Sequence, residues 1–91
     1  GQKASALCAI NILSQVQKAL NGDLNKVKNC IKITGFVNSS DDFKDQPKIL
    51  NPASEILSSI FADKGEHTRV AVSVNSLPLG AAVEIDAIFE I

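Results

Sequence analysis

The sequence contains no methionine, tryptophan or tyrosine, and phenylalanine, at four positions, is its only aromatic residue. A buried core must therefore be built from Ile, Leu, Val and Ala, within an apolar fraction of 45%. A 91-residue chain forms one domain at most, and a domain this small buries only about 60 to 65% of the surface that its unfolded form exposes. We expect a single domain over residues 1–91 that gains stability from association.

The missing methionine has a second implication. The chain opens at GQKASALCAI, which already belongs to an amphipathic helical pattern. We therefore expect that the natural N-terminus of the protein lies outside this sequence.

The chain also lacks an excess of charge and a long apolar run. Nine basic and ten acidic residues give a net charge of −1, which excludes the strong positive field typical of nucleic-acid binders. No run approaches the roughly 18 apolar residues of a membrane span, and no signal-peptide pattern opens the chain. We expect a cytoplasmic protein whose partners are small molecules or proteins.

Metal and cofactor motifs are missing as well. The single histidine, His67, is not near the two cysteines, Cys8 and Cys30, at any metal-ligand spacing, and no glycine-rich phosphate loop is present. The sequence predicts no metal site and no cofactor, and it favours buried, reduced thiols at both cysteines.

What is present is a clear succession of periodic segments. Apolar residues recur every three to four positions from Lys3 to Leu20, which predicts a helix that ends at Asn21-Gly22. Alternating apolar residues predict strands, and Asn51-Pro52 is typical of a helix start, although the second helix could begin earlier, near Asp45. The predicted elements are helix 3–20, strand 29–37, helix 52–62 and strands 68–74 and 81–91.

This order predicts two layers. The first strand, second helix and second strand form a plausible parallel crossover, and the last two strands are expected to be antiparallel neighbours. Two helices on one face of the sheet leave the other face uncovered. That face requires missing strands, a partner subunit or both.

Arg69 is the candidate binding residue, because in TRVAVSV it shares a strand face with the small residues Ala71 and Ser73. A guanidinium with such neighbours has room to grip a ligand carboxylate through two parallel hydrogen bonds. A structural ion pair or a sheet-edge position would explain the same pattern.

Glu84 and His67 are the other ionisable candidates. Glu84 shares its strand face with Asp86, Ile88 and Glu90, so the face is either solvated or places a carboxylate that orients a water. His67 stands at the entrance of the Arg69 strand, where a surface role and a catalytic one both remain open.

The C-terminal block HTRVAVSVNSLPLGAAVEIDAI resembles the pattern A-R-[ST]-x-V, L-P and [IV]-E-[IV]-[ED]-A-[IV] of the Rid family, also called the YjgF or liver perchloric-acid-soluble protein (L-PSP) family. GDLNKV and CIKITGFVNSSDDF resemble the family's preceding helix-to-strand passage. The likeness covers essentially all 91 residues.

The resemblance implies an α+β, chorismate-mutase-like fold, in which a mixed six-stranded sheet carries two helices on one face. Three such sheets form a homotrimer with clefts between subunits, and the family's first strand pair has no counterpart in this sequence. It also implies a hydrolase that deaminates 2-imino and 2-enamino acids. Arg69 would clamp the substrate carboxylate, and Glu84 would position the attacking water.

Some positions depart from the family pattern. Thr68 replaces the usual Ala before the arginine, Ala71 stands where many members have Cys, and Ser54 is nearest by spacing to the family's cleft asparagine. A non-catalytic trimeric module that binds small carboxylates or proteins is therefore the alternative. An L-PSP-type endoribonuclease ranks third, because the chain lacks a basic groove and stacking aromatics.

Overall fold

The computed structural model describes all residues from 1 to 91, and its element order is the predicted one. The long elements are α1 (Gln2–Ala19), β1 (Asn29–Asn38), α2 (Gln46–Phe61), β2 (Thr68–Val74) and β3 (Val83–Glu90). Single 3₁₀ turns occupy residues 24–26, 62–65 and 78–80. No helix is long and apolar enough to pass through a membrane.

Helix α1 ends where the sequence predicts. Asn21 and Gly22 have positive φ values of 56° and 87°, and the Gly22 N–H donates to the Gln17 carbonyl at 2.8 Å, which terminates the helix in a left-handed cap. The buried stripe of α1 is narrow: Ser5 and Ala9 are buried, whereas Ile10 is 53% exposed.

Helix α2 begins at Gln46, near the earlier of the two predicted starts, and the start at Pro52 is wrong. Pro52 lies inside the helix and has no N–H, so the Lys48 carbonyl loses its usual donor four residues on. The side chain of Gln2 in α1 supplies that donor, since its Nε2 lies 3.0 Å from the Lys48 oxygen. This contact explains how the helix continues through a proline.

The three strands form one mixed sheet in the order β2-β1-β3. β1 is parallel to β2, as predicted, and antiparallel to β3. The prediction that the last two strands are neighbours is wrong, because β1 lies between them. The segment that joins β2 to β3 is too long for a tight hairpin turn, and it lets the apolar β1 take the central position, buried at Ile33, Gly35 and Val37.

Both helices pack on one face of the sheet. The core combines residues from α2, β1, the segment before β1 and the C-cap of α1: Leu20, Val27, Cys30, Ile33, Leu57 and Phe61. Gly35 keeps the sheet close to α2, because a Cβ at this position would overlap the fully buried Leu50. The helix layer thereby fixes which side chains of β2 meet α2.

The face of the sheet that is turned away from both helices is here called the open face. It carries Val70, Val72, Glu84, Asp86 and Ile88. Its apolar members are substantially exposed, at 42% for Val70, 38% for Val72 and 54% for Ile88, so the predicted uncovered face is confirmed in the single chain. A register shift between Cys30 and Lys32 leaves Ile31 48% exposed, although simple alternation predicts it on the buried face with Ile33.

Candidate functional site

Arg69, the only arginine of the chain, lies in β2 on the face that meets α2. In the sheet it stands opposite the buried Ile33. Its Nη1 donates to Asn51 Oδ1 at 3.0 Å and to Ser54 Oγ at 3.2 Å. Asn51 and Ser54 are three residues apart in α2, so they lie on the same side of the helix.

The hydrogen bonds of Arg69 leave most of its donors free. A guanidinium carries five N–H groups, and both contacts use Nη1, so Nε and Nη2 retain about three donors along another side of the fork. Both partners are neutral side chains. Arg69 is thus held in place without a bonded carboxylate, and it keeps the edge that grips a carboxylate with two parallel bonds.

His67 joins this group from the entrance of β2. Its Nε2 lies 3.2 Å from Ser54 Oγ, and its Nδ1 lies 2.6 Å from the Gly65 carbonyl oxygen. Gly65 is required here, because a Cβ would stand 2.7 Å from the Leu57 carbonyl oxygen of α2. The close approach of this glycine to α2 fixes the carbonyl that orients the imidazole ring.

Glu84 lies elsewhere in the chain. It pairs in register with Phe36 on β1, belongs to the open face, and is separated from β2 by the central strand. Its carboxylate acts on Cys8 of α1: burial, and then the nearby Glu84 charge, raise the pKa of the Cys8 thiol. Within one chain, Arg69 and Glu84 therefore do not form a common site.

A groove of about 400 Å³ runs between α1 and β3, and its lining includes Cys8, Gln15, Val83, Glu84 and Phe89. Arg69 is not part of this groove. No group of three or more His, Cys, Asp or Glu side chains is placed to hold a metal ion. The hydrogen-bonded group of Arg69, Asn51, Ser54 and His67 is therefore separate from this groove.

Sequence patterns identify Arg69, and the family resemblance points to Ser54 at the cleft, but neither predicts the contacts that these residues make. Asn51 is expected there as a helix cap, and the Ser54–His67 contact is not predicted at all. The spacing of Asn51 and Ser54 places both on one face of a helix, and that pattern could have indicated a polar patch. Periodicity alone does not say that this patch faces Arg69.

The fold is that of a two-layer α+β protein, and its one arginine is exposed beside a polar patch of α2. A family model described as "YjgF/chorismate_mutase-like, putative endoribonuclease" matches residues 1–90. The chain belongs to this family, and the predicted family and fold class are confirmed.

Individual relatives are similar to this chain over nearly all of its length. "Protein TCP17" of Trypanosoma cruzi is 48% identical over 92 residues, which cover 100% of this chain and 57% of that protein. The crystal structure of Atu1372 from Agrobacterium tumefaciens, described as of unknown function, is 50% identical with a TM-score of 0.96, over 99% of this chain and 57% of that one.

A more distant structure comes from Shewanella oneidensis and is described as a "putative endoribonuclease". It is 26% identical with a TM-score of 0.89, over 96% of this chain and 57% of that one. The chain thus spans somewhat more than half the length of each of these three proteins.

Proposed function

We propose that this chain is part of a hydrolase that deaminates reactive 2-imino and 2-enamino acids, releasing 2-oxo acids and ammonium, with Arg69 clamping the substrate carboxylate. The observation that carries the proposal is the state of Arg69. Two neutral side chains of α2 position it, and its remaining donors are available for an anionic ligand. The resemblance of the C-terminal block to the deaminases of the Rid family supports the same chemistry.

An imine carbon is already electrophilic, so positioning of the substrate and of one water molecule is the main requirement for its hydrolysis. The carboxylate clamp supplies the orientation. Glu84, which would position the water, stands on the open face, so it would contribute from a neighbouring protomer. The proposal therefore includes a homotrimer whose clefts bring Arg69 of one chain towards Glu84 of the next. We place this homotrimer in the cytoplasm.

Ammonia release from freshly generated 2-aminoacrylate tests this function. We expect Arg69→Ala to lower kcat/KM by at least about 100-fold, because a bidentate carboxylate contact is lost. Arg69→Lys keeps the charge without the planar fork and is expected to recover only part of the activity. Lys32→Ala removes an exposed cation from the neighbouring strand and serves as the matched control.

The same assay separates the alternatives. Saturable binding of 2-oxo acids that is lost in Arg69→Ala, without any ammonia release, would favour a non-catalytic carboxylate-binding module. The description of the Shewanella oneidensis structure makes RNA cleavage the third possibility. RNA cleavage is the weakest of the three, because the chain has a net charge of −1 and neither Trp nor Tyr for stacking.

A further inference from the structure

A continuous chain of hydrogen bonds leads from the Gly65 carbonyl to Arg69. It passes through the imidazole of His67 and the hydroxyl of Ser54, with contacts of 2.6, 3.2 and 3.2 Å. Ser54 and His67 are both half-buried. The clamping of a carboxylate by Arg69 does not need this arrangement, so it calls for its own explanation.

The partners fix where the protons lie. A carbonyl oxygen only accepts hydrogen bonds, so the Nδ1 of His67 must carry a proton to bond the Gly65 oxygen. In the neutral ring Nε2 is then an acceptor, and Ser54 must donate its hydroxyl proton to it. This is the arrangement of a hydroxyl nucleophile beside its general base, with a third group that orients the base.

Arg69 acts on the same hydroxyl. One lone pair of Ser54 Oγ accepts from Arg69 Nη1 at 3.2 Å, and a hydroxyl oxygen has two lone pairs, so one remains free to attack an electrophile. A cation beside an oxygen stabilises the negative charge that develops as its proton leaves. The guanidinium thus favours ionisation of Ser54 towards His67.

We propose that Ser54 is a nucleophile activated by His67, and that the site hydrolyses short acyl esters carrying a free carboxylate. This activity goes beyond imine hydrolysis, because it cleaves a C–O bond through an acyl-serine intermediate. The carboxylate binds the free edge of Arg69. The ester carbonyl then lies over Ser54, because the clamp and the nucleophile are hydrogen-bond neighbours.

The reaction balances with water alone. Ser54 Oγ attacks the ester carbonyl carbon while its proton passes to His67 Nε2, and the tetrahedral oxyanion forms beside Arg69. The oxyanion collapses, the alcohol leaves with the proton from His67, and the acyl group stays on Ser54. Water then attacks the acyl-serine, gives its proton to His67, and releases the acid as Ser54 regains its hydrogen.

The geometry also limits the substrate. A carboxylate oxygen stands about 2.8 Å from a guanidinium nitrogen, and a carbonyl carbon about 3 Å from its nucleophile before attack. The free edge of Arg69, formed by Nε and Nη2, belongs to the same planar guanidinium as Nη1, which is 3.2 Å from Ser54 Oγ. The carboxylate carbon and the ester carbon of the substrate can therefore be separated by only a few bonds. Monoesters of malonic and succinic acid have this spacing.

The test compares mono-4-nitrophenyl succinate with the neutral 4-nitrophenyl acetate, using the full 91-residue chain. We expect the wild-type chain to prefer the succinate ester by at least about tenfold, and we expect Arg69→Ala to lose this preference. Ser54→Ala and His67→Gln are each expected to hydrolyse the succinate ester at least about 100-fold more slowly. Ser58→Ala changes an exposed serine of the same helix and is expected to hydrolyse at the wild-type rate.

Mass spectrometry of the acid-quenched wild-type chain tests for the acyl-serine intermediate. Because this experiment needs no substitution, it does not depend on whether the variants fold. A succinyl group on the peptide that contains Ser54 supports the proposal. A succinyl group on Cys8 or a lysine, no turnover above the Ser54→Ala rate, or equal rates for both esters overturns it. Ammonia release is measured separately, so either activity can fail alone.

Discussion

Cys30 illustrates what burial does to a single ionisable group. Only 1% of its surface is exposed, and burial raises the pKa of its thiol above the ordinary 9.0, because the thiolate would lose its hydration. The folded chain keeps this proton to a higher pH than the unfolded chain. The thiol's contribution to stability is therefore complete below the ordinary pKa and is lost as the pH rises through the folded-state value.

The unfolding free energy of the wild-type chain is expected to decrease as the pH rises from neutral to about one unit above the ordinary thiol pKa. We expect this decrease to be smaller in Cys30→Ala. Urea unfolding at a series of pH values measures this slope. Ile33→Val leaves a cavity without a titrating group and is expected to lower stability equally at every pH, keeping the wild-type slope. If Cys30→Ala keeps that slope too, other groups cause the pH dependence.

At the scale of elements, a side-chain hydrogen bond from α1 to a backbone carbonyl of α2 connects the two helices. Pro52 deprives the Lys48 carbonyl of its donor within α2, and Gln2 of α1 restores one at 3.0 Å. An unsatisfied carbonyl destabilises a helix unless water reaches it. The contact thus ties the start of α1 to the first turn of α2.

We expect Gln2→Ala to lower the unfolding free energy by about 0.5–1.5 kcal/mol, the usual net contribution of one hydrogen bond. In a Pro52→Ala background, the introduced alanine supplies a backbone N–H to the Lys48 carbonyl, so Gln2→Ala should cost close to nothing. A double-mutant cycle by urea unfolding gives the coupling energy. Equal costs in both backgrounds would show that Gln2 does not compensate for the proline.

Element identities were largely predictable because periodicity is local. The end of α1 at Asn21-Gly22 follows from backbone preferences of those two residues, and the face of Arg69 follows from strand alternation. The continuation of α2 through Pro52 was not evident from the local pattern, since the Lys48 carbonyl accepts its hydrogen bond from Gln2, which is 46 residues away. The Ser54–His67 contact likewise depends on how α2 lies across β2, which no periodic pattern encodes.

At the scale of the whole molecule, the open face is a partly apolar surface that no element of this chain covers. Val70, Val72 and Ile88 expose apolar area there, and the acidic Glu84 and Asp86 share the face. A sheet covered by helices on one side only must bury its other side against something. In the proposed homotrimer, the other protomers provide that covering.

We expect Val72→Lys to shift the molecular mass in analytical ultracentrifugation from trimer towards monomer, because it places a charge in the apolar part of the open face. Ile60→Lys, at a position of α2 that is 53% exposed, is the control and should leave the mass unchanged. A wild-type chain that sediments as a monomer would contradict the trimer, and so would a Val72→Lys chain that stays trimeric.

Sheet order belongs to this scale as well, and it was the part of the fold that alternation could not give. Alternation identifies which residues share a face but not which strand lies beside which. β1 became central because its two edges pair with strands that follow it by dozens of residues, with Lys32 opposite Thr68 and Asn29 opposite Glu90. Such long-range pairing leaves no mark in a local pattern.

The central position of β1 has a consequence during synthesis on the ribosome. β1 is translated before β2 and β3, yet its second edge is paired only when residues 83–90 have been made. Until then, a nascent chain presents β1 with unpaired N–H and C=O groups beside apolar side chains, the combination that promotes pairing with other chains. Translation speed through the last two strands therefore sets how long this aggregation-prone edge stays open.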